Sequence, residues 1–436
     1  MEKRTLSVGL MLFALFFGAG NLIFPPALGQ AAGDMVWKSM VGFFITGVGL
    51  PLLGVIALAR VGGGLQTLTE RVNPLFGLVF AFVLYLAIGP FFGIPRTGTV
   101  AFEMAALPFL PEGWNNGVPL FLFTVVFFAL TYWLALNPSK LVDRIGNILT
   151  PLLLLIIGSV LVKAIISPVG TLGKATPEYQ NSPLVKGFMD GYLTMDTLGA
   201  LAFGIVVISA VKKPGMKKET VTKMVIKAGI IAAICLAAVY SILAYLGATS
   251  QGLGTTENGG QILTNVVSQL FGQPGNLLLG LAVALACLTT SVGLVTACGE
   301  FAVKMFPKLP YKHVILALSI FSAGVANLGL SQLIKVSVPV LVAIYPIAIV
   351  LILLSFFHEA FSGRSEVYIG SIIATAFISV ADGLKAFGLK LGPIEEIYSV
   401  IPLYAEGIGW LVPALIGAIV GFIIALIRGR IILFST

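Results

Sequence analysis

Read from its amino end, the chain alternates long apolar stretches with short polar ones. Runs of spanning length fall at roughly 6–32, 38–59, 75–104, 118–136, 145–166, 186–211, 222–248, 274–302, 313–329, 333–357, 367–388 and 407–427. A hydrocarbon core about 30 Å thick is crossed by about 20 helical residues, so each run predicts a transmembrane helix, twelve in all. The runs are continuous rather than alternating at period two, which excludes a transmembrane β-barrel and predicts an all-α polytopic membrane protein. Between Gln251 and Phe271 the chain is more polar, with Ile262, Val266 and Leu270 at helical spacing. That pattern predicts an amphipathic helix on the outer surface rather than a thirteenth span.

Composition strengthens this reading. Of 436 residues, 58% are apolar and 10% charged, and the mean hydropathy is +1.04. Soluble domains carry about 25% charged residues. The net charge of +8 comes from basic residues in the loops, which answers to membrane topology and not to a nucleic-acid partner. Most Lys and Arg, led by Lys212, Lys213, Lys217, Lys218, Lys223 and Lys227 and joined by Lys140 and Arg144, fall on one side if both termini are cytoplasmic. That topological role accounts for the lysine cluster, and attraction to anionic membrane lipid stays open beside it. Trp37, Trp114 and Trp410 fall near run ends, where interfacial rings settle. The start, Met1 to Arg4 and an apolar run, resembles a signal peptide, but it has no clean cleavage site and continues past Pro25 and Pro26, as a first span would.

Cys235, Cys287 and Cys298 lie in apolar runs without metal-ligand spacing, and the histidines are His313 and His358. Zinc sites, histidine catalysis and a disulfide framework are disfavoured, and no cofactor is expected. The five aspartates, Asp34, Asp143, Asp190, Asp196 and Asp382, are scattered, which argues against a metal-dependent intramembrane enzyme. No ring-forming filter motif suggests a channel.

The first run contains Phe16-Phe17-Gly18-Ala19-Gly20-Asn21-Leu22-Ile23-Phe24-Pro25-Pro26. Glycines, an asparagine and two prolines suit a continuous helix poorly. A break near Gly18–Asn21 would free carbonyls on one side and expose N–H groups, an anion site, on the other. The sixth run repeats the feature in Thr194-Met195-Asp196-Thr197-Leu198-Gly199-Ala200, with Asp196 near its centre. The two lie five spans apart, so two such units would sit in opposite orientation. Paired interrupted spans point to a transporter site, whereas isolated glycines also serve close helix packing. Phe16, Phe91, Phe92, Ala200 and Phe203 surround the breaks, a setting for an aliphatic zwitterion whose ends meet backbone dipoles.

In the eighth run, Thr289 and Thr290 share a broad helix face with Ala286. Their hydroxyls, with carbonyls of Ala286 and of the end of the first half-helix around Ala14 and Phe17, would form a five-oxygen cage for a monovalent cation such as sodium. Hydroxyls bonding back to their own helix remain the alternative. Arg96, in Gly89-Pro90-Phe91-Phe92-Gly93-Ile94-Pro95-Arg96-Thr97, is costly at membrane depth. It either serves function directly or holds a distorted helix through Glu103 or a backbone carbonyl.

The stretches Gly18 to Pro26, Gly89 to Thr97 and Thr194-Met195-Asp196 resemble the bacterial branched-chain amino acid:cation symporters (the BrnQ-type family). Such proteins are similar to the leucine-transporter fold. The resemblance implies a five-plus-five inverted repeat with broken helices 1 and 6, residues 1–166 and 167–357 being the two repeats and 358–436 two extra C-terminal helices. It implies a multi-pass inner-membrane carrier, not an enzyme, importing leucine, isoleucine and valine with sodium and needing no obligate protein partner. Main-chain N–H groups of Ala19, Gly20 and Asn21 would hold the substrate carboxylate. Groups around Thr194, Asp196 and Thr197 would receive the ammonium. Ala14, Phe17, Ala286, Thr289 and Thr290 would match that fold's sodium site. A proton-coupled symporter or exchanger titrating Asp196 is the alternative.

Overall fold

A computed structural model describes residues 2–111, 117–137, 150–167, 169–212, 214–254 and 256–434. Trp114, Lys140, Asp143, Arg144, Lys213 and the start of the expected fifth span (145–149) lie outside the described residues. Among the described residues the chain is helical and contains no strand. In chain order the helices are α1 (Glu2–Phe16), α2 (Ala19–Ala32), α3 (Val36–Phe44), α4 (Leu50–Val61), α5 (Leu65–Thr69), α6 (Pro74–Leu86) and α7 (Gly93–Ala105). Then come α8 (Gly117–Ala135), α9 (Thr150–Ile166), α10 (Pro177–Asn181), α11 (Pro183–Tyr192), α12 (Asp196–Val211) and α13 (Lys218–Ala248). The last are α14 (Gly259–Met305), α15 (Tyr311–Ala326), α16 (Leu330–Phe356), α17 (Ser365–Ala386), α18 (Pro393–Ser399) and α19 (Leu411–Phe434).

Among the described residues, eight helical stretches are long and apolar enough to cross a membrane, and Arg4–Phe16 and Tyr311–Ala326 are shorter apolar helices. The chain is therefore a polytopic membrane protein. Four of the twelve expected runs are not among the eight: the first and sixth are divided at the expected breaks, the second half of the first continuing into the second run as Ala19–Val61; the ninth forms the shorter helix Tyr311–Ala326; and the fifth is described only from Thr150. The first run parts at Gly18, between α1 and α2, and the sixth parts between Tyr192 and Asp196. Pro25 and Pro26 do not break their helix: α2 continues through both to Ala32, and the bonds they forgo are those to the carbonyls of Asn21 and Leu22. Between α6 and α7 the third run carries a π-helical stretch, Ala87–Phe91, with Gly89 off helical geometry. The expected surface helix opens α14, capped by Asn258, and a kink at Gly272 beside Pro274 separates it from the following span.

The outer faces of α8 and α19 present Leu122, Val126, Trp133, Ile416 and Ile419, while the polar side chains at the breaks are turned inward. Trp37 is about half exposed, as an interfacial ring would be, but Trp410 is buried. Two helix pairs touch backbone to backbone through reciprocal glycines. Between α2 and α13, a Cβ on Gly29 would lie 1.9 Å from the Ala244 carbonyl oxygen and one on Gly247 2.0 Å from that of Pro26. Between α3 and α11, Gly42 meets the Leu184 oxygen and Gly187 that of Ser39, each at 1.9 Å. Small residues permit such approach where helices pack inside a membrane.

Candidate functional site

At the first break α1 ends at Phe16, and Gly18 takes an extended conformation (φ −127°, ψ −150°) before α2. The Gly18 N–H, which a continuous helix would give to the Ala14 carbonyl, instead donates to Asn21 Oδ1 at 3.1 Å. The last carbonyls of α1 are thereby released, and the first N–H groups of α2, from Ala19 onward, have no acceptor within their own helix. At the second break Met195 is held in the left-handed region (φ 68°), a conformation costing a side-chain-bearing residue about 1–2 kcal/mol. Asp196 follows as the first residue of α12, where a carboxylate faces the positive end of a helix.

One hydrogen-bond network joins the two breaks. The Asn21 amide donates to Asp196 Oδ2 at 2.6 Å and to the Tyr240 hydroxyl. Tyr240, from the middle of α13, donates to the same Asp196 oxygen at 2.7 Å. All three residues are buried. The breaks also touch directly, since a Cβ on Gly20 would lie 2.9 Å from the Thr194 carbonyl oxygen.

In α14, Thr289 Oγ1 lies 3.2 Å from the Ala14 carbonyl oxygen and 2.8 Å from that of Ala286. Thr290 Oγ1 lies 3.3 Å from the Ala14 oxygen and 3.0 Å from that of Leu15. Two hydroxyl hydrogens thus face three carbonyl oxygens in a buried setting, a cluster with more lone pairs than donors. Hard cations favour such all-oxygen surroundings. Phe17, expected in this set, stacks its ring on Phe13 and donates its N–H to the Phe13 carbonyl; the contact to Thr290 comes from Leu15 instead.

Between the breaks lies a cavity of about 40 Å3. Ala19, Gly20, Asn21, Thr194, Asp196 and Phe203, all expected at the site, line it, and so does Thr290. Four expected residues sit elsewhere. Phe91 is 42% exposed and packs on Phe321, because the π-helical stretch turns it outward. Phe92 lies against Phe91. Thr197 donates its hydroxyl to the Thr46 carbonyl, tying α12 to the segment between α3 and α4. Ala200 faces Gly54 of α4. Arg96 lines the cavity, and its guanidinium donates to the Leu193 carbonyl at 2.7 Å and to Ser337 Oγ at 2.8 Å. Glu103 accepts from Asn258, so the backbone-carbonyl alternative for Arg96 holds and the Glu103 one does not.

A family model described as "Branched-chain amino acid transport protein" matches residues 1–428. The chain belongs to this family. It is 50% identical over 430 residues to the branched-chain amino acid permease BraB of Bacillus subtilis, covering 98% of this chain and 96% of that protein. It is 40% identical to the permease BrnQ of Escherichia coli K12, over 98% and 97% of the two chains. Among solved structures it resembles a Na+-coupled sialic acid symporter (TM-score 0.62, 14% identity, 96% of this chain and 89% of that one). It also resembles Mhp1, a nucleobase-cation-symport-1 family transporter (TM-score 0.58, 14% identity, 93% and 95%). At such identities the likeness shows the shared fold.

In this member of the branched-chain amino acid transport family, several residues at the site carry little signal in the sequence. Tyr240 reads as one more aromatic in an apolar run, and its hydroxyl on Asp196 follows from the packing of α13 on α2. Leu15 contributes a carbonyl, which any residue type supplies. Ile88, Gly93 and Thr97 of the third run, Met195 and Gly199 at the start of α12, and Leu294 of α14 also line the cavity.

Proposed function

We propose that this chain imports leucine, isoleucine and valine across a bacterial inner membrane by sodium symport with alternating access. Thr290 carries the reading: it belongs both to the oxygen cluster, at 3.0 Å from the Leu15 carbonyl, and to the cavity wall. A cation held by Ala14, Leu15, Ala286, Thr289 and Thr290 would fix the end of α1 against α14, and with it the break that shapes the cavity. Cation and substrate then bind more tightly together than apart, a reciprocal coupling of about 1–3 kcal/mol in typical cases.

The scaffold in this proposal is a five-plus-five inverted repeat of residues 1–166 and 167–357, with 358–436 completing twelve spans and both termini cytoplasmic. Its support is an exchange of contacts: α2, the half of span one after its break, packs on α13 of span seven, and α12, the half of span six after its break, packs on α4 of span two. Spans one and six, and spans two and seven, exchange places between the two pairs, as a two-fold relation between halves requires.

The substrate's carboxylate meets the opening N–H groups of α2, at the positive end of a helix. Its ammonium is taken by carbonyls and hydroxyls around Thr194 and by Asp196. Phe16, Phe203 and Leu294 supply the apolar wall. Leucine, isoleucine and valine differ by about one methylene, worth roughly 1–3 kcal/mol in an apolar pocket, so their specificities overlap. A water fills about 10–15 Å3 on the measure by which this cavity holds 40 Å3. The described conformation therefore encloses too little space for leucine, and the walls part to admit it. Uptake of labelled leucine into cells lacking their own carriers tests the substrate class. Isoleucine and valine are expected to compete, and lysine and glutamate to leave uptake unchanged; competition by the charged amino acids would overturn the assignment.

A further inference from the structure

Arg96 is 2% exposed, and its guanidinium has no carboxylate within ion-pair distance among the described residues. Its two described hydrogen bonds go to neutral oxygens, those of Leu193 and Ser337, and its Nε, also buried, has no acceptor there. A buried charge left with neutral partners and a spare donor is costly unless an anion joins it. Arg96 lies over the ring of Phe24, 5.4 Å from its centroid. Phe24 is one helical turn after Gly20, on the same face of α2, and Arg96 lines the same cavity as Ala19, Gly20 and Asn21, the residues that open this helix. Asp196 lines the same cavity, and no ion pair joins it to Arg96 among the described residues.

We infer that Arg96 binds the substrate's carboxylate, sharing it with the first N–H groups of α2. This rests on the amino acid transport reading and adds a residue to it. Leu193 and Ser337 hold the side chain in place, and the remaining donor points the site toward an anion. The cavity is thereby selective for a zwitterion over an amine of the same shape. Asp196 and Arg96 present opposite charges at separate places, as the two ends of an amino acid require.

The test is competition against labelled leucine binding to purified protein in sodium buffer, by leucine and by leucinamide, in which a neutral amide replaces the carboxylate. Wild-type protein is expected to prefer leucine strongly. In Arg96→Gln, leucine is expected to weaken by about 10- to 100-fold, the range for a hydrogen bond to a charged group, while leucinamide changes little, so the preference collapses. Equal weakening of both ligands would mark Arg96 as purely structural and overturn the inference, as would unchanged leucine affinity. If Arg96→Gln fails to accumulate, Arg96→Lys decides: a charge that still discriminates the two ligands supports the inference, and loss of both in parallel overturns it. Wild-type protein that binds leucinamide as tightly as leucine overturns it without any variant. Wild-type protein that binds no branched-chain amino acid would instead refute the transport reading beneath it.

Discussion

Two glycines two residues apart should separate cation binding from substrate binding. A Cβ on Gly18 would stand 2.5 Å from Thr290 Oγ1, 2.8 Å from its Cβ and 2.9 Å from its Cγ2. Non-bonded heavy atoms settle at about 3.5–4.0 Å, so the overlap is close to 1 Å, and no rotation of Thr290 relieves it because its Cβ and both branches are crowded. Gly18→Ala therefore displaces a hydroxyl of the oxygen cluster. A Cβ on Gly20 would stand 2.9 Å from the Thr194 carbonyl oxygen, 3.1 Å from its Cα and 3.3 Å from its carbonyl carbon. Gly20→Ala therefore pushes the two breaks apart at the cavity. Overpacking of this kind costs about 1–3 kcal/mol, equivalent to about 5- to 150-fold in a dissociation constant. The assay is equilibrium binding on folded, purified protein: sodium without substrate, then leucine at saturating sodium. Gly18→Ala is expected to weaken sodium binding with the larger factor, and Gly20→Ala to weaken leucine binding with the larger factor. A Gly18→Ala variant with wild-type sodium affinity, or the reverse assignment of the two effects, would refute the placement of the cation.

Three further outcomes are expected. Thr289→Ala combined with Thr290→Ala should abolish sodium-dependent uptake while the protein still inserts, and full uptake in that variant would end the sodium-site proposal. Tyr240→Phe removes the hydroxyl bonded to Asn21 and Asp196 but keeps the ring packed edge-on against Phe43. The loss of a bond to a charged group, about 1.5–3 kcal/mol, should lower the thermal midpoint and cut uptake at least several-fold; unchanged values for both would show that the network does not hold the breaks. Phe203, which lines the cavity and packs on Phe16, limits its size. Phe203→Val should let methionine and phenylalanine compete with leucine, and an unaltered competition profile would remove Phe203 from the wall.

Much of this architecture was legible in the residues because a membrane leaves the backbone few options. Gly18 to Asn21 and Thr194 to Gly199 announced both breaks because glycine occurs there together with asparagine or aspartate, five spans apart, whereas glycines alone also serve helix packing, as Gly29 and Gly247 do. Thr289 and Thr290 were picked out by the face they share with Ala286, and the alternative of a bond back to their own helix is met in part, since Thr289 donates to Ala286 as well as to Ala14. What stayed hidden depends on which way a distorted helix turns. Phe91 and Phe92 belong to the third run's motif, yet the π-helical stretch at Ala87–Phe91 directs Phe91 outward and carries Arg96 to the cavity. Thr197, in the first turn of α12, and Ala200, one turn on, face the segment between α3 and α4 and α4 itself rather than the cavity. Leu15 went unmarked because it takes part through its carbonyl oxygen, 3.0 Å from Thr290 Oγ1, which any residue type supplies.

Sodium coupling is the central claim, and purified protein in liposomes tests it most directly. Labelled isoleucine uptake would be measured at fixed pH with an inward sodium gradient, beside an inward potassium gradient and an inward proton gradient. Uptake that requires sodium and is inhibited by leucine and valine is the expected result. Uptake indifferent to sodium but raised by the proton gradient would contradict it, and would move the coupling role from Thr289 and Thr290 to Asp196.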